Sequence, residues 1–131
     1  EKIVFEGDEG PVAEKDKRDT MDIFVYEFKK NMIYNLTMRD SVTTFQDPDS
    51  MYSDDRNPTI SEDGTVIAYE IRPRWDYSSV KVVDFRTKKT YLFTDRNENK
   101  YKPQVSKDGD TLVFLINGVL QSVNLKKLRG L

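Results

Sequence analysis

The sequence predicts an all-β chain of three successive four-stranded antiparallel units, the outer two incomplete. Three observations predict it. The stretch "PTISEDGTVIAYE" (58–70) returns as "PQVSKDGDTLVFL" (103–115), with Asp63-Gly64 and Asp108-Gly109 45 residues apart. The stretch "DIFVYEF" (22–28) returns 57 residues later as "SVKVVDF" (79–85). Apolar runs of strand length alternate with tight polar turns, and no helical period of any length appears.

Each unit is read as strands a, b, c and d in a meander. Asp-Gly between strand-like segments marks the a–b hairpin. Strand a is Pro58–Ser61 or Pro103–Ser106, and strand b is "TVIAYEI" (65–71) or "TLVFLI" (111–116). "KIVFE" (2–6) matches "VIAYE", so the first unit lacks strand a. Strand c is 22–28 and 79–85, with "LQSVNL" (120–125) as its third copy. The basic turns "KKN" (29–31) and "RTKK" (86–89) lead into strand d, "MIYNLT" (32–37) and "TYLFT" (90–94). The third unit has no clear strand d; its tail "LKKLRGL" suits one helical turn or the start of the missing strand. The units run over about 1–45, 57–94 and 101–131, in one segment of 131 residues. Four strands recurring at this period indicate β-propeller blades.

Composition narrows the chemistry. Apolar residues make up 37% and charged residues 34% of the protein, as in a soluble globular protein. The net charge of −2 gives no reason to expect nucleic acid or an anionic membrane, and no apolar run is long enough for a membrane-spanning helix. With no Cys and no His there is no thiolate or imidazole to ligate metal or activate a nucleophile. The protein is therefore expected to catalyse nothing by itself and to need no cofactor or metal. Clustered carboxylates at Asp47, Asp49, Asp54 and Asp55 lack a calcium-loop pattern and read as a solvated acidic loop.

The repeated Pro, Ser-x-Asp-Gly and apolar strand, followed by "VKVVDFRTKKTYLFT" and "IFVYEFKKNMIYNLT", resemble the TolB-type β-propeller repeat. The resemblance covers nearly the whole sequence outside 7–21 and 38–56. It implies a periplasmic or cell-envelope setting and a non-enzymatic module that binds a protein or peptide. The alternative is an accessory propeller gating a larger peptidase-type enzyme. A glycan-processing propeller ranks last, because no pair of carboxylates is singled out by spacing.

Ser61, Asp63, Gly64, Ser106, Asp108 and Gly109 are read as turn residues: Gly accepts positive φ, and the Asp and Ser side chains bind turn amides. In a meander the short a–b and c–d turns share one end and the long loops 7–21, 38–56, 71–78 and 95–101 share the other. Long loops on a rigid scaffold are where recognition concentrates. "IRPRWDY" (71–77) places Arg72, Arg74, Trp75 and Tyr77 there, residue types favoured at binding hot spots. Lys29, Lys30, Lys88, Lys89, Lys126 and Lys127 are assigned to the opposite, short-turn end as solubilising charges. Three blades cannot close a ring, so the flanks, with Ile3, Phe5, Val113 and Phe114, are expected to be exposed. They would be met by the remaining blades of the same propeller or by a second copy. The start at Glu1 favours a fragment.

Overall fold

The computed structural model describes residues 1–8, 21–37, 54–72, 77–95 and 98–130. Among the described residues, ten strands form three antiparallel sheets. The first contains β1 (Lys2–Asp8), β2 (Met21–Glu27) and β3 (Met32–Asn35). The second contains β4 (Asp54–Ile60), β5 (Val66–Arg72), β6 (Ser79–Asp84) and β7 (Lys89–Phe93). The third contains β8 (Lys100–Val105), β9 (Thr111–Ile116) and β10 (Val119–Asn124). Each sheet is a meander of sequence neighbours, a propeller-blade arrangement with the outer two blades incomplete. Strands β4 and β8 begin a few residues before the Pro-led segments, at Asp54 and Lys100.

The core lies between the sheets. Period-2 alternation sends Ile67 and Tyr69 of β5 to one face, against Ile23 and Val25 of β2. Val66 and Ala68 go to the other, with Val80 and Val82 of β6, against Leu112 and Phe114 of β9. The middle sheet is covered on both sides, which is why β5 reads as a continuous apolar run. Phe114 is thus buried, in ring contact with Phe93. The expectation that it lies on an exposed flank fails by one position of the pleat: Val113 points outward and Phe114 inward.

The outer flanks are open among the described residues. On the first sheet Phe5 stacks on Phe24 and Tyr26 meets Phe28 edge-on, beside exposed Ile3 and Ile33. On the third, Leu120 is 66% exposed. Burying such surface is worth about 25 cal/mol per Å², so both flanks are poised to be covered.

The tail forms one helical turn, α1 (Leu125–Arg129), capped by Asn124, whose side chain accepts the Lys127 amide at 3.0 Å. Leu125 buries itself in the joint between the second and third sheets. Arg129 binds Asp84 at 2.5 Å, Asp110 at 2.6 Å and the Gly109 carbonyl. Lys126 and Lys127 therefore sit on a helix at the short-turn end and not in a c–d hairpin. No helix among the described residues is long and apolar enough to cross a membrane.

Candidate functional site

At the short-turn end, chemistry that looks catalytic is consumed by the backbone. Ser61 donates to Asp63 at 2.8 Å and accepts the Val66 amide at 3.1 Å; Asp63 also accepts the Thr65 amide and hydroxyl. Ser106 and Asp108 repeat this with the Thr111 and Asp110 amides. Gly64 (φ 76°) and Gly109 (φ 75°) take the left-handed turn position. The Thr65 hydroxyl, with Ser61 and Arg86 also contributing, holds the Asp63 carboxyl below the usual carboxylate range. Arg86 reaches Asp63 at 2.8 Å and the Asp108 carbonyl at 2.7 Å, tying the second sheet's turn to the third's.

The long-loop end is different, because each sheet joint there carries buried polar groups. In the first joint Asp55 lies buried on β4, in hydrogen-bond contact with Thr37 and Asp22. Asp22 in turn accepts the Thr37 hydroxyl at 3.0 Å and the Asn35 side-chain Nδ2 at 2.9 Å. Burial pushes the Asp55 carboxyl well above its ordinary value, and the neighbouring Asp22 adds to this. The raised value favours the protonated form of Asp55, which can then donate to a neighbouring carboxylate oxygen. Burial lowers the Lys81 ammonium, which stands on β6 of the same sheet as Asp55, and the Asp55 charge opposes that shift. Part of the supposed solvated acidic loop is thus strand. Asp55 pairs with Ile71 across β4–β5, and Asp54 pairs with Arg72 while its carboxylate accepts the Met21 amide at 2.8 Å. Asp is unfavourable in a free strand, but here it secures the start of β2.

The second joint is organised by Glu70, which is wholly buried. Its Oε1 accepts Arg72 Nε at 2.7 Å, and its Oε2 accepts the Lys102 amide at 2.8 Å and the Asn57 side chain. Glu6, its counterpart in the first sheet, accepts the Asn57 amide at 3.2 Å. Asn57 (φ 51°) and Lys102 (φ 53°) sit 45 residues apart, each before a proline and each at a register shift in strand a. A left-handed non-glycine residue costs about 1–2 kcal/mol; here it turns one amide out of the ladder and onto the carboxylate of the preceding sheet. Glu on strand b and the bulge on the next strand a form a repeated clasp between blades. The sequence carried both halves, "VFE"/"AYE" and "NP"/"KP", but nothing in it linked them.

Of the predicted recognition residues, Arg72 is the last residue of β5 and not a loop residue, and Tyr77, 41% exposed, stands before β6. Both lie at the long-loop end. Arg74 and Trp75 fall outside the described residues, as do Asp47 and Asp49.

These sheets and joints define a β-propeller segment. Among solved structures, the protein is similar to TolB from Acinetobacter baumannii, with a TM-score of 0.54 and 21% identity over 95% of its own length. It spans 27% of the length of that TolB. At this identity the likeness shows a TolB-like fold. No protein-family model and no curated protein sequence matches it.

Proposed function

We propose that the protein is a propeller segment that binds a protein or peptide through its long-loop end and carries out no catalysis itself. The observation that carries this reading is the mounting of Arg72. Its Nε is fixed at 2.7 Å by the buried Glu70 carboxylate, while its side chain stays 48% exposed with no partner for its terminal nitrogens among the described residues. An arginine with one donor locked, and no partner for the others among the described residues, is pre-organised, so little rotamer entropy is lost on binding. Tyr77 nearby adds an exposed aromatic. A sequence with no His and no Cys lacks the commonest general base and the thiolate nucleophile, which supports a binding role. The exposed apolar flanks and the 27% span support further blades, or a second copy, on either side in the intact assembly.

Selection of a displayed peptide library on the immobilised protein tests the reading. Arg72→Ala, Tyr77→Ala and Trp75→Ala should each weaken the selected peptides, with at least one loss of about 2 kcal/mol. Lys88→Ala, at the short-turn end, should change little. Equal losses at both ends, or turnover of a hydrolase substrate abolished by a carboxylate substitution, would contradict it.

A further inference from the structure

Lys100 is the first residue of β8, at the long-loop end of the second joint, and only 6% of it is exposed. Its Nζ is buried with no hydrogen-bond partner among the described residues. The surrounding backbone is fixed. The Lys100 amide donates to the Ser78 carbonyl at 2.9 Å, the Ser78 amide to Asn99 Oδ1 at 2.9 Å, and the Asn117 amide to the Asn99 carbonyl at 3.0 Å. A buried ammonium without a counter-charge is strongly unfavourable.

The joint's own buried acids do not supply that counter-charge. Both oxygens of Glu70 are taken by Arg72, Asn57 and the Lys102 amide. Asp84 lies at the opposite end, bound by Arg129 and the Arg86 amide. Arg56, the cross-strand partner of Glu70, is ion-paired through Nη2 with Asp54 at 3.4 Å, and its buried Nε has no partner among the described residues. This end of the joint therefore holds two buried donors, Lys100 Nζ and Arg56 Nε, without acceptors among the described residues, and Lys100 is the one whose charged group has no ion-pair partner there.

We propose that Lys100 anchors a carboxylate-binding site at the long-loop end of the second joint, where an acidic group of a bound peptide supplies the missing counter-charge. This deepens the recognition reading by naming the chemistry the surface takes. A carboxylate suits one buried ammonium, because its single charge matches. The doubly charged phosphate would bring excess charge toward Glu70 and Asp54. The acid can be the terminal carboxylate of the peptide or an Asp or Glu side group within it; the chemistry is shared.

The test is an amide-resolved NMR titration of the whole protein with sodium acetate against sodium chloride at matched ionic strength. Saturable shifts are expected at Lys100, Ser78 and Lys102, and none at Lys126 of α1. Lys100→Met should abolish the acetate response and melt at a higher temperature than the parent in chloride, because an unpaired buried charge has been replaced by an apolar group of similar length. N-acetylalanine mimics a terminal carboxylate and N-acetylaspartate N-methylamide an internal acid; the one that saturates at lower concentration assigns the source. Absence of saturable shifts, a response that survives Lys100→Met, or a stronger response to methyl phosphate than to acetate would overturn the proposal. So would a Lys100→Met variant that melts lower or does not fold, since the ammonium would then have a counter-charge within the protein. The titration needs no partner. Its failure would leave the recognition reading standing, and a failed peptide selection would leave the site standing.

Discussion

The buried Glu70 carboxylate accepts the backbone amide of Lys102 at 2.8 Å across the joint between two sheets. Such a bond fixes position as well as adding stability: the φ of Lys102 turns its amide out of the ladder, so the carboxylate replaces the strand acceptor the amide has given up. The same carboxylate holds Arg72, so one buried charge couples the blade joint to the surface proposed for recognition.

Replacing Glu70 by Ala should cost about 3 kcal/mol, because it strands the Lys102 amide and removes the acceptor for Arg72 and Asn57 at once. Glu70→Gln keeps the shape but loses the charge and one acceptor oxygen, and should cost about half as much. Urea unfolding of the parent and the two variants checks this. A Glu70→Ala variant within about 0.5 kcal/mol of the parent, the range of ordinary surface substitutions, would show that the clasp does not hold the joint.

Two glycines separate backbone strain from crowding. At Gly118 (φ 86°) an added Cβ would meet only the Tyr101 hydroxyl, at 3.9 Å. At Gly109 (φ 75°) it would meet Val66 Cγ2 at 2.9 Å and Arg86 Nη2 at 3.0 Å. Gly118→Ala should cost about 1 kcal/mol from φ alone, and Gly109→Ala about 2–3 kcal/mol. Thermal melts giving the reverse order would mean that the joint at Val66 is looser than its packing indicates.

Stability should respond to pH in two opposite directions for separate reasons. Asp63 is lowered, so its contribution is present above its ordinary value of 3.8 and is lost as pH falls toward its folded value. Asp55 is raised by burial, so the folded protein keeps a proton that the unfolded state has released. Its contribution is present at low pH and is lost as pH rises through the raised folded value. Asp55→Asn should remove the loss seen as pH rises above 3.8 and leave the loss below it unchanged; Asp63→Asn should weaken only the loss below it. Chemical denaturation across pH reads both, and a loss with rising pH undiminished in Asp55→Asn would place the buried proton elsewhere.

Strand identity was legible because burial on the two faces of β5, and turn chemistry at Asp63-Gly64 and Asp108-Gly109, are local properties written in adjacent residues. What was not legible depends on contacts between sheets. Glu70 in "VIAYEIR" looks like the polar end of a strand; it is buried only because the bulge at Lys102 brings an amide to it. Phe114 and Val113 are equally apolar, and only the register of β9 decides which one meets Phe93. Asp55 looks like one of a run of solvated acids until β4 is extended back to Asp54 by pairing with Ile71 and Arg72. The helix at Leu125 replaced a continuing strand because Leu125 found a place in the joint and Arg129 found Asp84.

The central claim is that consecutive blades are joined by a strand-b glutamate closing on a bulged strand-a amide, which holds the long-loop end in shape. Native-state hydrogen exchange of the Lys102 and Asn57 amides tests it most directly. Both should be protected in the parent. Glu70→Gln should speed exchange at Lys102 and Glu6→Gln at Asn57, while the β5–β6 ladder amides stay protected in both. Equal exchange at Lys102 in the parent and in Glu70→Gln, or loss of protection across every strand at once, would contradict it.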